Sequence, residues 1–172
     1  MNSKVKVLVL SAPGTNCDSE TIFAMEEAGA SCDLVPISAL IREEKKLADY
    51  RIMVIPGGFS YGDDISAGKV LANELKLKLK DEVPEFIGRG GLILGACNGF
   101  QVLVKTGILP GFTVGGKQPL TLTNNDSGRF ECRWVTLRSE ACAASYLVPG
   151  ELMPVPIGHG EGLTTMCHRG VV

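Results

Sequence analysis

Short, uninterrupted apolar runs alternate with helical patterns along the first two thirds of this chain, and that alternation narrows the possible folds to very few. Val5–Leu10, Cys32–Ile37, Arg51–Ile55 and Leu92–Ala96 read as strands; Ser19–Ala28, Ile65–Lys80 and Asn98–Thr106 read as helices. The strand runs lack the alternation of polar and apolar residues that a half-exposed strand shows, so both faces of their sheet are expected to be covered. A doubly wound α/β architecture follows, a parallel sheet with helices on both faces and its working crevice at the carboxyl ends of the strands.

Past Gly107 the pattern changes. Pro110 to Gly128 is rich in Gly, Thr and Asn and reads as a long loop. Phe130–Leu137 and Glu151–Ile157 then read as strands, a small antiparallel extension of the main sheet after residue 128. Lys76, Lys78 and Lys80 alternate with Leu75, Leu77 and Leu79, but no Gly or Pro interrupts Lys69 to Val83, so the segment is assigned to a helix end. With 172 residues, 45% of them hydrophobic, the chain is long enough to bury a core and is read as a single domain over 1–172.

Charge and cysteine usage exclude several functions. A formal net charge of −2 with interspersed signs and no basic stripe argues against nucleic acid as a partner. No apolar run approaches membrane-spanning length, and the N-terminal run is too short for a signal-peptide core, so no membrane association and a cytoplasmic location are expected. The six cysteines form no C-x-x-C pair and are expected to be reduced thiols. With only His159 and His168 available, no structural metal site is expected; Cys167 beside His168 is the one adjacent pair of ligand types.

One cysteine stands apart. Cys97 lies where a strand must turn sharply into a helix, with Gly95 and Gly99 two residues to either side, the small-residue spacing of a nucleophile elbow. A thiolate at a helix start faces unpaired N–H groups and the positive end of the helix dipole, which favours the reactive form. The alternative, a buried packing cysteine, does not account for the glycine frame.

Two other loops carry polar chemistry. Pro56-Gly57-Gly58-Phe59-Ser60-Tyr61-Gly62-Asp63-Asp64 follows the third strand, and paired glycines there can bring backbone N–H groups near Cys97 as one arm of an oxyanion hole, the N–H of Asn98 supplying the other. A phosphate-binding reading of Gly62 to Gly68-Lys69 fails: five residues separate the glycines where a P-loop has four, Val70 replaces Ser or Thr, and Asp63 and Asp64 would repel phosphate. Near the end, His159 and Glu161 would share a face if they lay on one strand, a base and its orienting carboxylate. A loop in which His159 bonds to backbone and Glu161 is solvated fits the interleaved Gly158, Gly160 and Gly162 equally well.

Gly57-Gly58-Phe59-Ser60-Tyr61-Gly62-Asp63, Gly95-Ala96-Cys97-Asn98-Gly99-Phe100-Gln101, Ser127-Gly128-Arg129-Phe130-Glu131-Cys132-Arg133-Trp134 and Pro13-Gly14-Thr15-Asn16-Cys17-Asp18 together resemble one family. It is the glutamine amidotransferase subunit of phosphoribosylformylglycinamidine synthase, a class I, triad-type amidotransferase of purine biosynthesis. The resemblance implies a flavodoxin-like fold, Cys97 as the nucleophile that forms a γ-glutamyl thioester, and Gly57, Gly58, Phe59, Asn98 and Gln101 as the oxyanion and glutamine-binding set. It also implies partners: glutamine, a formylglycinamide ribonucleotide synthetase large subunit and a small accessory subunit. No cofactor is implied for this chain, with ATP and magnesium on the synthetase.

The resemblance departs at one place. The family completes its triad with a downstream His-Pro-Glu, which this sequence lacks, and His159-Gly160-Glu161-Gly162 resembles a separate His-Gly-Glu-Gly element that precedes it. By register, His159 and Glu161 are then not the catalytic pair, and the chain reads as short at its C-terminus, with an unusual tail over Leu163–Val172. Two further readings follow: a non-catalytic amidotransferase-like module that docks to the synthetase, and a relative of cysteine-elbow proteins acting on small carbonyl compounds. The latter lack the Gly-Gly-Phe-Ser-Tyr-Gly-Asp loop.

Overall fold

A computed structural model describes residues 4–111, 118–142, 144 and 146–166. Part of the Pro110–Gly128 segment, and Cys167 and His168, lie outside the described residues. The chain divides into two compact units, Met1–Leu122 with Thr164–Val172, and Thr123–Leu163.

The first unit is the α/β layer structure. In chain order it holds β1 (Lys6–Ser11), α1 (Asp18–Glu27), β2 (Ser31–Pro36), α2 (Ile37–Ile41), β3 (Ile52–Ile55), α3 (Lys69–Lys78), α4 (Glu82–Gly88), β4 (Leu92–Gly95) and α5 (Asn98–Thr106). The strands pair in the order β2-β1-β3-β4, all parallel. Successive side chains of a strand point to opposite faces, so the apolar run of β1 feeds two cores. Leu8 and Leu10, with Met53 and Ile55, pack with Leu71, Leu75, Phe86 and Val102 on one face. Val7, Val9 and Val54 pack with Ile22 and Met25 of α1 on the other. The central strands β1 and β3 are thus covered on both faces, which is why they show no alternation, whereas Leu34 of β2 and Leu92 and Leu94 of β4 are exposed.

The register brings the end of β3 beside the end of β4, with Ile55 opposite Gly95. The Gly57-Gly58 loop and the Cys97 elbow therefore leave the sheet side by side. Helix α3 settles the lysine-leucine segment as helical through Lys78, but it begins at Lys69 rather than Ile65. Gly68 sets that start with a φ of 70°, where an added Cβ would press on the Val102 backbone nitrogen at 3.0 Å. Helices α2 and α4 were not anticipated; α4 accommodates Pro84 in its first turn, where an absent N–H costs nothing.

The later segment corrects two expectations. Strand β5 (Leu120–Asn124) lies inside the stretch read as loop and pairs with β8 (Glu161–Met166), which was not foreseen. Strands β6 (Glu131–Arg138) and β7 (Leu152–His159) form an antiparallel pair, Glu131 opposite His159 through Arg138 opposite Leu152, in a two-stranded sheet of their own rather than as an extension of the parallel sheet. Leu120-Thr121-Leu122-Thr123 does alternate, but the run is short and set among Gly, Thr and Asn, so loop-like composition hid β5.

Candidate active site

The elbow is built by contact between glycines and backbone. Cys97 occupies φ 51° and ψ −112°, a conformation that residues with a β-carbon rarely adopt, directly before α5. A Cβ on Gly99 would overlap the Ile55 carbonyl, and one on Gly95 would come within 2.6 Å of the Gly99 carbonyl carbon. Both positions therefore exclude any side chain. The Gly99 N–H turns back to the Ala96 carbonyl at 2.8 Å, leaving Asn98 N–H as the first-turn donor next to the thiol. The Cys97 side is exposed, as attack on a ligand requires.

The Gly57-Gly58 turn is held from its other flank by the β1–α1 loop. Gly57 carbonyl accepts from Asn16 N–H at 3.4 Å and Cys17 N–H at 3.3 Å; Phe59 N–H donates to Gly14 carbonyl at 2.9 Å. Thr15 and Gly58 form the intervening antiparallel bridge. In a trans peptide the carbonyl and the next N–H point in opposite directions. Since the Gly57 carbonyl faces the loop that continues β1, the Gly58 N–H faces the β4 side, where Cys97 lies. Gly14, at φ 86°, sits so close to the Phe59 carbonyl that a Cβ would overlap it.

A third group closes the constellation. A Cβ on Gly57 would lie 3.3 Å from Cys17 Sγ and 3.4 Å from Cys97 Cβ, so the two cysteines border one space. Burial pushes the Cys17 thiol above its ordinary value, and Glu20, Cys97 and Asp18 add to the rise. Its hydrogen donates to Asn16 Oδ1 at 3.3 Å. Cys17 is thereby kept as a neutral thiol beside Cys97, a wall residue that composition alone did not reveal. The resemblance of Pro13 to Asp18 was the only signal for it.

Of the remaining anticipated residues, Phe59 is exposed beside the turn, and Gln101 Oε1 accepts from Asn98 Nδ2 at 3.1 Å in the first turn of α5. The 60–63 turn that follows carries positive φ at Tyr61, Gly62 and Asp63. Tyr61 hydroxyl donates to Glu74 Oε2 of α3 at 2.6 Å, and burial followed by that bond pushes its pKa up to about 12.

His159 and Glu161 belong to the second unit. His159 ends β7 and Glu161 begins β8, with a bend at Gly160, so the shared-face argument, which needs one continuous strand, does not apply to them. Asn125 Nδ2 donates to the carbonyls of Arg129 and His159, each at 2.9 Å, which leaves Oδ1 as the acceptor. That oxygen takes the Gly162 N–H at 3.1 Å and lies 3.0 Å from His159 Nδ1, which must therefore carry the proton. The ring lies where a Gly162 side chain would be. Asn125, not foreseen from the sequence, is the hub of this turn; its partners lie up to 37 residues away in the chain.

Among the described residues no group of three or more His, Cys, Asp or Glu is arranged to hold a metal, and no helix is long and apolar enough to cross a membrane.

Residues 4–172 match the family described as the CobB/CobQ-like glutamine amidotransferase domain. The chain belongs to that family. Among curated relatives, the phosphoribosylformylglycinamidine synthase subunit PurQ of Dehalococcoides mccartyi is 52% identical over 161 residues, 93% of this chain and 63% of the relative. The subunit of the same name from Methanococcus maripaludis is 46% identical over 91% of this chain and 58% of its own length. The chain thus spans about three fifths of these relatives. A solved chain described as the structure of PurLQS from Thermotoga maritima is 35% identical, with a TM-score of 0.77 over 97% of this chain and 72% of that one. A second glutamine amidotransferase from Thermotoga maritima, 19% identical with a TM-score of 0.55 over 96% of this chain and 63% of its own, shares the fold.

Proposed function

We propose that this chain is the glutaminase subunit of phosphoribosylformylglycinamidine synthase, hydrolysing glutamine at Cys97 and supplying ammonia to a synthetase in purine biosynthesis. The observation that carries the reading is Cys97, held at positive φ in a glycine frame beside a clamped Gly57-Gly58 turn. The names of the relatives support the substrate and the pathway. In this reading the Cys97 sulfur attacks the carboxamide carbon of the glutamine side chain, and the oxygen that gains charge is met by the N–H groups of Gly58 and Asn98. The C–N bond breaks, ammonia leaves with a proton from a general acid, and water then releases glutamate and regenerates the thiol. His159 is given a structural role, because its ring closes the turn around Asn125 and its register matches the His-Gly-Glu-Gly element rather than the triad segment.

The partners in this reading are a formylglycinamide ribonucleotide synthetase large subunit and a small accessory subunit. The likeness to a chain of the Thermotoga maritima PurLQS structure supports an assembly of that kind. ATP and magnesium belong to the synthetase, and this chain works in the cytoplasm without a cofactor of its own.

A chloroketone analogue of glutamine tests the reading. It is expected to alkylate Cys97 before Cys17, Cys32, Cys132 or Cys142 at neutral pH, as mapped by mass spectrometry, with protection by glutamine. Preferential labelling of another thiol would overturn the assignment. Labelling of Cys97 without any glutamate release, even with the synthetase present, would favour the docking-module reading.

A further inference from the structure

Asn98 does more in this structure than offer its backbone N–H. Its side chain is buried, 3% exposed, and uses every hydrogen-bond position a carboxamide has. Oδ1 accepts from Ser60 N–H at 3.1 Å and from Ser60 Oγ at 2.7 Å. Nδ2 donates to Asp63 Oδ1 at 3.1 Å and to Gln101 Oε1 at 3.1 Å. Asp63 Oδ1 in turn accepts from Gly68 N–H at 2.9 Å, where the chain enters α3. Ser60 is itself only 2% exposed.

These bonds tie the residue after the nucleophile to both ends of the turn that follows Gly57-Gly58-Phe59. That turn does not hold its shape by local preference: Tyr61 and Asp63 lie at φ 55° and 54°, which residues with a β-carbon adopt only when their surroundings fix them. The surroundings here are the Pro13 carbonyl, which accepts from Tyr61 N–H, Glu74, which accepts from the Tyr61 hydroxyl, and the Asn98 carboxamide, which bonds both Ser60 and Asp63. An oxyanion hole works only if its two donors keep a fixed separation. One donor is the N–H of Asn98, and the other, Gly58 N–H, lies two residues before Ser60, the first residue of the turn that the Asn98 side chain grips.

We propose that the Asn98 carboxamide is a positioning residue, a strut that sets the Gly58 donor against the Asn98 donor and so holds the oxyanion hole to its working width. The proposal rests on the glutaminase reading above. An aspartate cannot replace it, because its second oxygen would face Asp63 with no hydrogen between them; an alanine would leave Ser60 and Asp63 without their partner.

Two reagents separate positioning from simple stabilisation. Attack on the carbonyl of a glutamine chloroketone develops an oxyanion, whereas alkylation of the same thiol by iodoacetamide does not. In Asn98→Asp and Asn98→Ala, the ratio of chloroketone to iodoacetamide rates at Cys97 is expected to fall roughly 10- to 100-fold, with the iodoacetamide rate held within about twofold. Ser60→Ala, which keeps the backbone bond and loses the hydroxyl, is expected to lower the ratio several-fold and decides the matter if the Asn98 variants do not fold. A wild-type Cys97 that does not discriminate the glutamine chloroketone from a chloroketone lacking the glutamine head overturns the glutaminase reading, and the proposal with it. A discriminating wild-type chain whose folded variants keep the same ratio overturns the proposal alone.

Discussion

At Cys97 the backbone is held where a side chain is unwelcome, and such positions store about 1–3 kcal/mol. Only glycine would sit there without strain. Cys97→Gly is therefore expected to melt above Cys97→Ala, by about 1 kcal/mol in unfolding free energy, although both lose labelling by the glutamine analogue; denaturant melts of the two variants check this. His159 presents the reverse case, a reactive side chain used for structure. Its ring proton completes the set around Asn125, so His159→Ala and Asn125→Ala are each expected to cost about 1–3 kcal/mol while leaving the rate of Cys97 labelling unchanged. If His159→Ala abolishes labelling in a folded chain, the base-and-orienter reading returns. Cys97 was legible in the sequence because glycines at fixed offsets have one steric meaning. Asn125 was not, because an asparagine in Asn124-Asn125-Asp126-Ser127-Gly128 reads as turn composition, and its partners come from distant strands.

Between elements, the site depends on three loops meeting at the strand ends. Gly14→Ala is expected to push the β1–α1 loop off the Phe59 carbonyl, cost about 1–3 kcal/mol and slow chloroketone labelling more than iodoacetamide labelling, though Gly14 is remote from Cys97 in sequence. The Tyr61 bond to α3 gives a pH test. Its pKa of about 12 stands above the ordinary 10.0, so the folded chain holds that proton more tightly than the unfolded one does. The stabilisation is complete below pH 10 and is lost as pH rises through the window from 10 to about 12. Unfolding free energy is expected to fall across that window and to fall less in Tyr61→Phe. A residual slope remains from Tyr50, which burial and its bond to Asp33 also raise. Strands β1 and β3 were legible to within a residue because burial on two faces leaves an unmistakable apolar run, and β4 and helix α5 because the glycine-framed cysteine marks the switch between them. Helix α4 was missed because it is short and contains a proline; the β5–β8 pair was missed because its two strands lie far apart in the chain.

For the whole molecule, the parallel layer and its strand-end crevice follow from hydropathy alone, and the antiparallel strands β6 and β7 were also read to within two residues, but the β5–β8 pair of the later segment was not. The exposed positions of β6 and β7 include Trp134 and Leu152, so the rule that apolar residues point inward did not tell that this pair forms a sheet of its own. If this subunit serves a synthetase, glutamate release by the chain alone is expected to be slow and to rise several-fold when the synthetase, ATP and formylglycinamide ribonucleotide are added. A coupled assay for glutamate measures both, and robust release by the isolated chain would count against dependence on the partner. The Gly57 carbonyl, held by the Asn16 and Cys17 amides, bears on this from the first loop of the chain. Were that peptide to rotate by half a turn, an oxygen would replace the N–H on the Cys97 side and, in the glutaminase reading, repel the oxyanion formed there. Those two hydrogen bonds therefore fix the sign of the local field at the thiol as the chain folds, before any glutamine arrives.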